Sequence, residues 1–166
     1  SYTPTKGAKL GTLTMTQDYK LSFDITPKGT VGNWGSIIHF TRDASRDYGE
    51  FGFRTPAIWF WPGGMGLHVR IGDANGDHNW GWDSAAGCAI GKKSQVSLEC
   101  RGKSVRLTID SNVYSLTQPG YRYSGNVKVY GCDPWYDAAN ASVENVCLQL
   151  LGNSTASEPA WITKLN

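Results

Sequence analysis

With 166 residues and 18.2 kDa, the chain is read as one domain over 1–166 with a single sizeable core. Sixteen Lys and Arg against 14 Asp and Glu leave a formal charge of +2, too even for a nucleic-acid or anionic-membrane partner. No apolar run approaches a membrane span, and the opening SYTPTKG lacks a leader's charged and apolar parts, so the protein is expected to be cytosolic or already relieved of a signal peptide.

Alternation dominates the chain from its start. GTLTMT places Leu13 and Met15 on one side, and YKLSFDI sets Tyr19, Leu21, Phe23 and Ile25 against Lys20, Ser22 and Asp24 before Pro27 ends the run. GSIIHFT (35–41) and AIWFW (57–61) are continuous apolar runs, as strands covered on both faces require. This assigns Trp34, Trp59 and Trp61 to packing. LHVRIGD returns to alternation, with His68 and Arg70 opposite Leu67, Val69 and Ile71, so His68 reads as an exposed or groove residue.

After the polar loop GDANGDHNWGWDS (72–84), the runs SQVSLEC, SVRLTID and VYSLT form a predicted three-strand antiparallel meander, and NVKVYGC adds a strand. Val143, Val146, Cys147 and Leu150 fit helical spacing as well as a strand over 143–150. Twenty glycines and seven prolines punctuate the chain, and no window makes a long helix. Many short strands with Gly-rich turns predict an all-β antiparallel sandwich or jelly roll.

Four cysteines without CxxC spacing (Cys88, Cys100, Cys132 and Cys147) favour disulfides over zinc. Strand parity turns Cys132 and Cys147 outward and Cys100 inward, which favours Cys132–Cys147 and Cys88–Cys100. Sequons at Asn140-Ala141-Ser142 and Asn153-Ser154-Thr155 add to the expectation of a secreted, extracellular protein.

In order along the chain, WGSIIHF, PAIWFWPGGMGLHVRIGD, VSLECRGKSVRLTID and VKVYGCDPWYDAANASV resemble concanavalin A-like domains of the laminin-G-like type, over roughly residues 10–150. The resemblance implies a jelly roll of two antiparallel sheets and a role in glycan or protein recognition, as in several animal lectins. Glucanases of this fold carry an alternating Glu-x-Asp-x-Glu array, whose period of two puts the carboxylates on one strand face. Here the nearest cluster is Asp43, Asp47 and Glu50, spaced for a loop, so the protein is expected not to be an enzyme.

Sugar recognition needs an aromatic ring against a C–H face and short polar groups around the hydroxyls. His78, Asn79, Trp80, Trp82 and Asp83 supply that mixture, and Trp80 or Trp82 is the expected stacking ring. In the same loop, alternating Asp73, Asn75 and Asp77 with Gly76 resemble the opening of a calcium loop without its closing Glu, or else an ordinary Asx-turn.

His39 and Arg42 lie in HFTR, which resembles the His-Phe-Asn-x-Arg stretch of galectins without its Asn. Asp133 and Tyr136, in DPWY, complete the candidate ligand-binding set, with Trp135 expected to pack over a sandwich edge. Trp161 is expected to dock a tail on the domain or on another subunit. The resulting expectation is a lectin for glycans or glycoproteins, with a β-galactoside as one ligand, calcium as a candidate cofactor and a homo-oligomer for avidity. A protein-interaction or adhesion module is the alternative, and a glycan-cleaving enzyme stands third.

Overall fold

The alternating runs become strands because each can bury one apolar face only by pairing edgewise and packing on a second sheet. In the computed structural model, residues 1–153 are described, so Trp161 and the last two residues of the second sequon lie outside the described residues. In chain order the strands are β1 (Lys9–Met15), β2 (Asp18–Pro27), β3 (Gly35–Thr41), β4 (Ala57–Phe60), β5 (Gly66–Arg70) and β6 (Gly81–Gly87). They continue as β7 (Ser94–Arg101), β8 (Ser104–Ile109), β9 (Asn112–Thr117), β10 (Gly125–Tyr130), β11 (Asp137–Ala138) and β12 (Ala141–Gly152).

Two sheets result. One runs β1-β10-β3-β4-β5-β6, with short β11 added in parallel beside β3, and the other runs β12-β2-β7-β8-β9. The predicted meander is β7-β8-β9, with Leu98 opposite Leu107 and Cys100 opposite Val105. Gly102 (φ +54°) and Asp110 (φ +53°) take the left-handed backbone that its two tight turns need. Between the sheets, Leu21, Phe23, Ile25, Val96, Leu98, Leu107 and Ile109 meet Ile38, Phe40, Ile58, Phe60, Leu67 and Val69, all buried.

Three expectations change. The polar loop is shorter than 72–84, because residues 81–87 form β6 and pair with β5, which puts Trp82 and Asp83 on a strand. The ambiguous 143–150 segment is strand throughout, part of β12. Its parity does not run straight: Asn145 takes φ +53° at a bulge between Glu144 and Cys147, which leaves Val146 exposed where simple alternation turned it inward.

The expected disulfides are absent among the described residues, where all four thiols are free, three buried and Cys147 exposed. Parity failed because β10 and β12 belong to different sheets, so "outward" on each points to opposite sides of the sandwich. Cys132 turns instead into the segment after β10, fully buried, with its Sγ 3.3 Å from the Asp133 carbonyl. Burial, and then the charge of Asp133, push its thiol up to about 11.

Candidate functional site

The outer face of the larger sheet holds the richest chemistry. On β4, Ile58 and Phe60 point into the core, so Trp59 between them points out. Register then places Trp59 opposite His68 of β5, and His68 opposite Asp83 of β6, making one row across three strands. Three connecting segments, 42–56, 72–80 and 131–136, fold over this face.

The base of the site is a buried network centred on Asp133. Its Oδ2 accepts from Trp59 Nε1 at 3.1 Å and Ser36 Oγ at 3.3 Å and lies 3.1 Å from His39 Nδ1, while its Oδ1 accepts the N–H groups of Trp135 and Tyr136. His39 Nε2 faces the Phe53 carbonyl at 2.8 Å. Burial alone would raise the Asp133 carboxyl, but the His39 hydrogen bond and charge and the two backbone donors hold it below its ordinary value.

Above this base lies a groove of about 250 Å³ lined by Trp34, Tyr48, Arg54, Trp59, His68, Asn79 and Tyr136. Arg54 is sandwiched between Tyr48 and Trp59, its guanidinium carbon 4.8 and 4.5 Å from their ring centres. Asp47 holds it in a fork, with Nη2 to Oδ2 at 2.6 Å and Nε to Oδ1 at 3.2 Å, and Nη1 donates to Asn79 Oδ1 at 2.6 Å. Asp47 also accepts from the Tyr136 hydroxyl. Burial and that carboxylate push the Tyr136 phenol up to about 12.

His68 lies between Trp34 (ring centres 4.2 Å apart) and Trp59 (5.4 Å). Its Nδ1 donates to Asp83 Oδ1 at 2.5 Å, which leaves Nε2 as a lone-pair acceptor without a partner among the described residues. Burial lowers its pKa, against the opposing pull of Asp83, so the ring is neutral at neutral pH. Tyr48 is 54% exposed, with one face on Arg54 and the other toward solvent.

The structure distributes the predicted site residues among several places. Asn79 and Tyr136 line the groove, and Asp83 orients His68 from behind. His39 and Asp133 are fully buried beneath the floor. Arg42 sits outside the groove, paired with Glu50 at 2.8 Å. Trp80 and Trp82 are half-buried, packing against the core and against each other, edge to face at 5.9 Å, and neither is among the residues that line the groove. His78 stays in the adjoining loop with its Nδ1 buried.

Asp73 is fully buried, accepting the N–H groups of Asn75 and Gly120 at 2.7 Å each, and Asp77 accepts the N–H of Asn79. The bonds from Asn75 and Asn79 are those of Asx-turns, and the bond from Gly120 ties the loop to the segment after β9. Among the described residues, His39, Asp47 and Asp133 also bring ligand atoms within 4.8 Å of one another. The Arg54, Tyr136 and Trp59 bonds already engage those carboxylates.

Sequence reasoning missed Trp34, Tyr48, Arg54 and Trp59. A continuous apolar run hides the outward-pointing Trp59, and Tyr48 and Arg54 sit in an irregular segment with no periodicity to orient them. A larger hollow of about 430 Å³ over β1 and β10, lined by Thr12, Thr14, Arg42, Asn126 and Lys128 among others, has no aromatic ring among the described residues that line it.

No protein-family model matches the sequence, and no curated protein is significantly similar to it. Solved structures are similar in fold. An alginate lyase from Alteromonas sp. 272 superposes with a TM-score of 0.52 at 12% identity, over 82% of this chain and 73% of that one. Domain 4 of AbnA, a GH43 extracellular arabinanase from Geobacillus stearothermophilus in complex with arabinotriose, gives 0.57 at 14% identity over 84% and 64%. A double mutant of congerin II gives 0.51 at 10% over 86% and 98%. The fold is the concanavalin A-like jelly roll.

Such a jelly roll carries enzymes as well as binders, and this corrects the expectation of a protein that is not an enzyme: an alginate lyase has the same fold. A missing Glu-x-Asp-x-Glu array bears on one hydrolytic chemistry only.

Proposed function

We propose that this jelly roll binds glycans in the groove between Trp34, Tyr48 and Asn79. The observation that carries the reading is the combination on its walls: an open tyrosine face beside hydrogen-bonding groups that the protein leaves unspent. The outer Tyr48 face suits the C–H face of a sugar ring. The Asn79 amide N–H groups suit hydroxyl oxygens, and His68 Nε2 accepts a hydroxyl hydrogen. At about 250 Å³ the groove is on the scale of a sugar ring or two rather than a deep drug-sized cavity. That the arabinanase domain was seen with arabinotriose supports sugar recognition on this fold. A single shallow site binds weakly, so a homo-oligomer would supply avidity.

A glycan array on the intact protein, with and without a calcium chelator, tests this. Binding that Tyr48→Ala and Asn79→Ala both weaken supports the groove. Binding unaffected by those variants moves the site elsewhere, and binding to no glycan ends the reading. Loss of binding in chelator alone would return attention to Asp73, Asn75 and Asp77.

A second reading, glycan cleavage, has its own observation. The Asp83–His68 hydrogen bond leaves a neutral imidazole with its free nitrogen in the groove, the arrangement of a general base, and Tyr136 lines the same groove as a protonated phenol. Incubation with polysaccharides and detection of new chain ends separates cleavage from binding alone.

A further inference from the structure

Building on the glycan reading, we infer that the groove selects uncharged sugars and rejects sulfated or uronate-bearing ones. Taking an anionic group out of water is costly, and only an unpaired cation placed against it repays that cost. Among the described residues that line the groove, Arg54 is the only permanent cation. Its charge is already spent: Asp47 holds it in a two-point fork, with both side chains largely buried. Its Nη1 is further committed to Asn79.

The neighbouring charges point the same way. Arg70, on the same face of β5, lies 3.6 Å from Asp83 and donates from Nη1 to the carbonyls of Val69 and Trp82. His68 stands between Trp34 and Trp59 as a neutral acceptor, so an incoming carboxylate meets a lone pair rather than a proton. Asp83 is itself partly exposed beside it, and its negative charge opposes any anion brought alongside. A hydroxyl fits where an anion does not. It can donate to His68 Nε2 and accept from Asn79 at once, with no charge to desolvate.

The test uses paired ligands on the intact protein: neutral galacto-, gluco- and arabino-oligosaccharides against alginate oligosaccharides and sulfated galactosides, each at low and at high salt. The expected result is binding confined to the neutral set, with an affinity that changes less than twofold between the two salt conditions. Asp83→Asn, checked for an unchanged thermal melt, is expected to raise the acidic-to-neutral affinity ratio several-fold, because it releases Arg70 and removes the opposing charge. Tighter, salt-sensitive binding of the acidic set overturns the inference while leaving glycan binding intact. An unchanged ratio in Asp83→Asn overturns the assignment of selectivity to these charges. Binding to neither set overturns the glycan reading and this inference together.

Discussion

Asp133 carries more structure than any other single side chain near the groove. It faces Trp59, Ser36, His39 and two backbone N–H groups, with no solvent to replace any of them. Asp133→Asn keeps the shape, removes the charge beside His39 and turns an N–H₂ toward other donors. Leaving a buried donor of this network without its acceptor costs about 1–3 kcal/mol. Chemical denaturation should therefore show a lower midpoint with an unchanged slope. His68 predicts a pH dependence. Its folded-state pKa lies below the ordinary value of about 6.5, so the unfolded chain takes up the proton more readily. The stability this contributes is fully present above about pH 6.5 and is lost as pH falls through the lower folded-state pKa. Thermal melts between neutral and mildly acid pH should show the loss, and His68→Asn should flatten that part of the profile.

At the scale of the strands, β5 and β6 set the row Trp59–His68–Asp83, and a glycine permits their approach. A Cβ on Gly81 would lie 1.9 Å from the Val69 carbonyl oxygen, against backbone that cannot swing aside. Gly81→Ala is expected to push the strands apart at a cost of about 1–3 kcal/mol. It should also weaken the His68–Asp83 bond, seen by NMR as an upfield move of the His68 Nδ1 proton. The strands were legible where alternation was clean: β2, β7 and β8 appear in the sequence as they do in the fold. β6 was not, because its residues GWDSAAG carry no apolar alternation and its pairing comes from its neighbour. The groove was legible only through His68, Tyr136 and the polar loop that supplies Asn79. Its other walls come from residues distant in sequence, Trp34, Tyr48, Arg54 and Trp59, which meet only because β3, β4 and β5 are adjacent.

At the scale of the whole molecule, the two sheets bury a continuous core while one face of the larger sheet carries the groove. Recognition can therefore be altered without touching the core. Tyr48 separates the two most cleanly, since it is 54% exposed and its inner face only caps Arg54. Removing an aromatic face that stacks on a ligand costs on the order of 1 kcal/mol, about a fivefold loss of affinity. Any ligand that binds only the folded chain stabilises it by RT ln(1 + [L]/Kd), about 2.7 kcal/mol at a concentration near 100 times Kd. For a domain of this size that corresponds to a rise in Tm of several degrees. Wild-type protein should show this rise with the best-binding oligosaccharide of the array. Tyr48→Ala should melt at the wild-type temperature without ligand and show a smaller rise at the same ligand concentration. A variant that melts low without ligand would mean that Tyr48 supports the fold through Arg54. A full ligand-induced rise in Tyr48→Ala would mean that the sugar rests on another ring, with Trp34 the next to test.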